Sequence, residues 1–162
     1  MESNKNTHAT PLQDLIQILT ERVKFYSAAI SLVDADKDVD LIAILEKCMQ
    51  LSQQFKSELN GVLAKEDSPF SEREWVAGDL YTRWQEQKPS MEGIKGRDQV
   101  AEAWAQMENT IEHIFQHILV DASHFAENTA AMLKSQAALQ QEIAEQIEDA
   151  RKADGRENRK ER

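Results

Sequence analysis

The feature that most constrains this chain is a run of apolar residues that keeps a helical spacing from Asp98 to about Ala150. Successive members lie alternately four and three residues apart, with one extra step of four after Ile118. This spacing is typical of a coiled-coil-like helix with a single stutter, and neither Pro nor Gly interrupts the run. An unbroken helix of this length would reach roughly 75 to 80 Å. Part of it must therefore pack on the rest of the chain, and part must project or meet a partner.

Three further helices are predicted before this run. They extend from Pro11, capped by Thr10, to about Val33, from Leu41 to about residue 62, and from the capping box at Ser71 to just before Pro89. No segment reads as a convincing strand. The sequence therefore predicts an all-α fold, an antiparallel four-helix bundle with a long C-terminal helical extension. The predicted divisions are a disordered N-terminus at 1–10, the bundle at 11–119, a helical arm at 120–150 that continues or follows the fourth helix, and a charged flexible tail at 151–162.

Composition narrows the possible functions. The chain has 162 residues and a formal net charge of -10, which disfavours a nucleic-acid partner held through phosphate contacts. The single Cys48 rules out an internal disulfide framework and suits a reducing compartment. No apolar run approaches the ~18 residues that span a bilayer, and the first residues lack an apolar leader. We therefore expect a cytoplasmic protein without a transmembrane segment.

Helical bundles often hold two metal ions between inward carboxylates and Glu-x-x-His pairs. No Glu-x-x-His occurs in this sequence, and the histidines of the long run share a face with polar neighbours, as a solvated surface does. Gly-rich phosphate loops and nucleophile elbows are also missing. We therefore expect no catalytic residue, no metal and no cofactor. The weak candidates for metal ligands are Glu21, Glu108, Glu112, His113, His117, Asp121 and His124.

Two charged residues fall within predicted apolar arcs. Glu108 lies among apolar residues of the long run, and Arg22 lies in the apolar arc of the first helix. Either charge would be uncompensated if it were buried alone. The pattern predicts a buried ion pair between Arg22 and Glu108 at the place where a bundle holds its metals. The alternative is that both long side chains extend to the edge of the bundle and keep their charged groups in water.

Four segments follow one another in this order: LQDLIQILTERVKFYSAAI, a Leu-rich helix ending near SELNGVL, WVAGDLYTRWQEQK and QVAEAWAQMENTIEHIFQHIL. In this order they resemble a group of bacterial ferritin-like four-helix bundles described as domains of unknown function. The resemblance covers about Leu12 to Val120 and includes Glu21, Glu108 and the spacing of Gly78, Leu80 and Trp84. It implies a ferritin-like fold and permits a di-iron carboxylate centre. The sequence departs from that pattern because Glu21 projects to a polar edge and the Glu-x-x-His ligands are missing.

The arm from Asp121 onward gives the main indication of function. The row of apolar residues along one side of this arm is too apolar for a helix that stands free in water. Polar residues interrupt that row, however, and weaken it as the contact face of a coiled coil. It must be buried against its own bundle, a second copy or another protein. The leading hypothesis is a non-catalytic protein that acts through association, as a homo-oligomer or as a stress or regulatory adaptor. The alternative is a ferritin-like di-metal carboxylate oxidoreductase or iron-binding protein with a degenerate centre. The predicted contact residues are Phe125, Met132, Leu139 and Ile143.

Overall fold

The computed structural model describes residues 9–160, and this part of the chain is all-α, with five helices and no strand. This confirms the all-α part of the predicted fold class. The disordered segment predicted at 1–10 lies outside the described residues except for its last two, which begin the first helix. None of the described helices is both long enough and apolar enough to cross a membrane. The helices are α1 (Ala9–Ile30), α2 (Val39–Lys65), α3 (Asp79–Gln87), α4 (Gly96–Val120) and α5 (Glu127–Lys160).

Hydrogen bonds between helix ends fix the directions of the long helices. α1 and α2 pack against each other and are joined by a short turn, so they run antiparallel. The backbone N–H of Gly96, at the start of α4, donates to the carbonyl of Leu32, just past α1, over 3.2 Å. Near the end of α5, Arg151 pairs with Glu102, near the start of α4, over 2.5 Å. α4 therefore runs antiparallel to α1 and α5 and parallel to α2, and the one long connection, between α2 and α4, contains α3.

The core lies between the four long helices and is covered on one side by α3. α1 packs against α2, α3 and α4, and α5 packs against α4 and α2. Burial of large apolar and aromatic side chains is the main favourable term in folding such a chain. Phe55 of α2 and Phe115 of α4 meet edge to face across the core, with ring centroids 5.8 Å apart. The largest fully buried side chains include Trp84, Trp104, Arg22, Tyr26, Phe55 and Phe115.

Of the two arrangements that the sequence left open for residues 120–150, a continuation of the fourth helix or a separate helix that follows it, the structure has the second. α4 ends at Val120, a 3-10 turn spans Ala122–His124, and α5 begins at Glu127 and packs back along α4. A straight helix would leave the apolar face of α5 in water, and burying that face outweighs the few helical hydrogen bonds lost at the turn. The turn falls at the stutter after Ile118. α5 also continues to Lys160, so residues 151–160, predicted as a flexible tail, are helical.

The inward face of α5 agrees with the predicted spacing at Thr129, Gln136 and Ile143 and is shifted by one residue at the positions between them. Leu133 and Gln140 are buried, whereas their neighbours Met132 and Leu139 are only half-buried. Ala144 lines a cavity against α4, and alanines recur seven and fourteen residues before it on the same side. The side of α5 that carries these small side chains therefore faces α4.

The third helix begins later than predicted. The capping box at Ser71 forms a single turn, closed by the backbone N–H of Trp75 on the carbonyl of Ser71 at 2.8 Å, and the helix begins only at Asp79. The reason lies on α1, where the buried carboxylate of Asp14 accepts hydrogen bonds from the Trp75 indole and from the backbone N–H groups of Gly78 and Tyr81. These contacts hold the residues before Asp79 extended.

Candidate functional site

A group of buried polar side chains lies at the centre of the core, with every long helix contributing at least one. α1 supplies Arg22 and Tyr26, α2 supplies Ser52, α4 supplies Glu108, and α5 supplies Gln140. None of the five is more than 1% exposed. We call these five residues the central cluster.

The Glu108 carboxylate is the hub of the central cluster. Arg22 Nη2 lies 2.6 Å from its Oε1 and 2.5 Å from its Oε2. The Tyr26 hydroxyl donates to Oε1, and the Gln140 side-chain amide donates to Oε2. Arg22 Nη1 donates to the Ser52 hydroxyl over 3.2 Å. The structure thus brings Arg22 and Glu108 together and gives both carboxylate oxygens more than one donor.

The thiol of Cys48 lies next to the central cluster and is fully buried. Ser52 donates its hydroxyl to the Cys48 backbone carbonyl over 2.9 Å. Burial raises the pKa of the Cys48 thiol, although the nearby charge of Arg22 works in the opposite direction. A thiol that stays protonated and out of contact with water is a poor nucleophile, so Cys48 serves the core as a small apolar side chain.

The central cluster does not suit a di-metal carboxylate centre. Such a centre needs carboxylate oxygens whose lone pairs point at the metal ions. Here both oxygens of Glu108 accept hydrogen bonds from Arg22, whose guanidinium stays protonated in proteins. A metal ion at this place would also lie against that positive charge, and like charges repel strongly where water is excluded. The donor set is that of a buried ion pair and not that of a metal site.

Glu21, a weak metal candidate, lies on the side of α1 that faces α3. Its carboxylate accepts hydrogen bonds from the Tyr81 hydroxyl and from Trp84 Nε1 (3.2 Å), and it pairs with Lys88 (3.3 Å). Burial by itself would raise the pKa of Glu21, but the hydrogen bonds from Tyr81, Trp84 and Gln17, together with the charge of Lys88, outweigh it and lower that pKa. Glu21 therefore fastens α3 to α1 and has a different set of partners from Glu108.

The four candidates on the polar face of the long run are also not gathered into one site. His117 lies 3.3 Å from the carboxylate of Asp79 on α3, and His113 is exposed on α4. Asp121 follows the last residue of α4, and His124 lies in the 3-10 turn. Across residues 9–160, no three His, Cys, Asp or Glu side chains are grouped so that they could hold a metal ion.

Glu108 and Glu112 do meet at one place, a cavity of about 240 Å³ between α4 and α5. Two glutamates of α5, Glu145 and Glu148, face it from the other side, and Glu148 also pairs with Arg151 over 3.2 Å. The periodicity of the sequence did not indicate this grouping, because it depends on α5 folding back along α4.

Sequence reasoning also missed Asp14, a fully buried acid. Its Oδ1 accepts a hydrogen bond from Trp75 Nε1 over 2.9 Å, and its Oδ2 accepts one from the Tyr81 backbone N–H over 3.1 Å. A carboxylate at the first residues of α3 also interacts favourably with the helix dipole. Asp14 and Glu21 lie seven residues apart and so share one side of α1. An acidic side of a helix facing a segment rich in Trp and Tyr was the signal available in the sequence.

Half-buried apolar residues line the junction of α2 and α5. The Gln136 amide of α5 donates to Glu58 Oε1 of α2 over 3.0 Å, which marks the sides that the two helices turn toward each other. Leu51 and Ile44 lie seven and fourteen residues before Glu58 and share its side of α2. Met132 and Leu139 lie four residues before and three residues after Gln136 and share its side of α5. All four are partly exposed and packed against the core, and we call them the α2–α5 seam.

The four predicted contact residues differ in their surroundings. Met132 and Leu139 lie on the α2–α5 seam, Phe125 is half-buried beside the 3-10 turn, and Ile143 is buried in the core with 3% exposure. Comparison of the chain with protein families, curated proteins and solved structures finds no match.

Proposed function

We propose that this chain is a non-catalytic helical protein that acts by associating with another protein chain through the α2–α5 seam. Its four long helices would form an antiparallel four-helix bundle of the ferritin-like type. The helix directions support this assignment, because two hairpins joined by a single long crossover are the connectivity of ferritin-like folds. α3 would then be an insertion in that crossover.

The observation that carries the proposal is the partial exposure of apolar side chains along both edges of one helix junction. Ile44 and Leu51 lie on α2, and Met132 and Leu139 lie on α5, with part of each side chain in contact with the core and part with solvent. A groove between two helices with such edges is suited to take the apolar face of a third helix. Met132 adds a flexible side chain that adapts to the shape of a partner.

The central cluster supports the non-catalytic part of the proposal. In bundles of this kind the chemistry takes place between the helices at mid-height, and here that place is taken by the Arg22–Glu108 pair. The groups around the pair act as donors to it and leave neither charge without a partner. The cluster can hold the four long helices in register, as buried polar groups do in other helical assemblies.

The proposal is tested by placing a charge on the seam. Met132→Glu and Leu139→Glu are prepared in the full chain, with Ala138→Glu as the control, because Ala138 is exposed on the same helix. Light scattering after size exclusion gives the mass of each protein, and circular dichroism confirms that each variant keeps its helical content. We expect the wild-type chain and the control to form a defined dimer or larger assembly. The seam variants should stay folded but show the lower mass of a smaller assembly or of the monomer.

Two results would contradict the proposal. One is a wild-type chain that stays monomeric at every concentration and binds no purified protein partner in a seam-dependent way. The other is an assembly whose mass is the same in the folded seam variants and in the control, which would locate the contact on another surface.

A further inference from the structure

The inward face of α5 is unusually polar for a helix in a core. Among the α5 residues whose burial is described, 127–149, 151 and 152, six are buried and three of these carry polar side chains, whereas the inward face of α2 carries Ser52 as its single buried polar residue. A polar side chain contributes less to the burial of a helix than an apolar one of the same size. The six positions are Thr129, Leu133, Gln136, Gln140, Ile143 and Ile147.

Buried side-chain atoms without a hydrogen-bond partner occur at four places in the described residues, one on α1 (Gln17), one on α4 (Trp104) and two on α5. The side-chain carbonyl oxygens of Gln136 and Gln140 are buried and accept no hydrogen bond within the described part of the chain. Each of these amides uses only its N–H group, Gln136 on Glu58 and Gln140 on Glu108. A buried acceptor without a donor loses its bond to water and gains nothing in exchange, so both residues disfavour the docked position of α5.

Within the described residues, α5 is attached to the rest of the fold by a single turn at residues 121–126 and by its packing on α4 and α2. When α5 is removed, Glu108 still keeps Arg22 and Tyr26 as partners. The contacts of α1 with α2, α3 and α4 do not involve α5.

We propose that α5 undocks as a unit about the turn at residues 121–126 while α1 to α4 stay folded. The closed form contains the complete α2–α5 seam, and the open form lacks its α5 edge. Undocking would therefore control the association proposed above, but it rests on separate observations and can be measured without any partner. A helix held this way belongs to the low-stability part of a fold, where locally opening elements are found.

Native-state hydrogen exchange on the full chain tests this proposal. We expect amides between Leu133 and Ile147 to exchange at least about tenfold faster than the slowest amides of α1, through an opening that depends on added urea, though less steeply than global unfolding does. Equal protection in α5 and α1, with the same strong dependence on urea, would mean that α5 opens only on global unfolding and would overturn the proposal.

A variant separates this cause from general fraying. Gln136→Leu removes the unsatisfied oxygen. It also removes the contact of the Gln136 amide with the Phe55 carbonyl over 3.4 Å, but that carbonyl lies within helix α2 and so keeps a backbone N–H as its partner. We expect exchange in α5 to slow by about tenfold and exchange in α1 to stay as it is. Lys134→Leu, at an exposed position of the same helix, is the control and should leave both unchanged. Equal slowing in all helices, or none in α5, would contradict the proposal.

Discussion

Replacing Glu108 with Leu is the most direct test of the central cluster. The variant leaves the Arg22 guanidinium fully buried without its counter-ion, and removing one partner of a buried pair costs about 3–5 kcal/mol. The Tyr26 hydroxyl and the Gln140 amide lose their acceptor in the same step. Because domains of this kind have a free energy of unfolding of about 5–15 kcal/mol, the single substitution should remove roughly a fifth or more of the stability.

The double variant Arg22→Met/Glu108→Leu shows whether the loss comes from the unpaired charge. Exchanging a whole buried ion pair for apolar residues is often neutral or stabilising. Here the neighbouring Tyr26, Ser52 and Gln140 groups still lose partners, at about 1 kcal/mol for each ordinary hydrogen bond. We therefore expect the double variant to unfold at a higher urea concentration than Glu108→Leu alone, with a coupling of at least about 2 kcal/mol between the two sites.

Urea unfolding followed by circular dichroism gives these free energies. With a slope of about 2 kcal/mol per molar urea, a loss of 3–5 kcal/mol lowers the midpoint by roughly 1.5–2.5 M. The exposed pair Asp79 and Arg83, whose nitrogen and oxygen lie 3.2 Å apart, is the control, and its removal should change the free energy of unfolding by less than about 1 kcal/mol. If the two core substitutions simply add, Arg22 and Glu108 do not depend on each other and the reasoning is refuted.

The sequence predicted those parts of the fold that follow from the apolar pattern of a single helix. The 3.6-residue spacing indicated α1 and α2 to within a few residues, because the buried apolar residues of each helix recur at that spacing. The expectation that Arg22 and Glu108 meet came from the same projection, since a charge in an apolar arc needs a partner. The structure has them 2.5 Å apart, although they are distant in the chain.

The sequence could not predict features that depend on how helices meet. The turn after Val120 contains neither Gly nor Pro, and it forms because folding back buries the apolar face of α5. Which positions of α5 are buried depends on its contacts with α4 and α2, which a single-helix projection does not include. Asp14 is buried against Trp75 and Tyr81, which lie more than sixty residues later in the chain. The acidic side of α1 and the aromatic segment can be seen in the sequence, but their packing against each other follows only from tertiary structure.

Two further predictions concern the attachment of α4 and α3. Arg97 lowers the pKa of Asp40 from 3.8 to about 2, so the pair stabilises the fold above about pH 4 and loses this effect as the pH falls toward 2. The stability difference between wild type and Asp40→Asn, measured by thermal unfolding, should therefore shrink over that range, and a constant difference would contradict the pairing. Gly78→Ala would bring a Cβ within 2.7 Å of Thr10 Cγ2 and should cost about 1–3 kcal/mol. Gly61→Ala, in helix α2 with nothing within 4 Å, should instead stabilise by up to about 1 kcal/mol; equal effects of the two substitutions would refute the close approach of α1 to the start of α3.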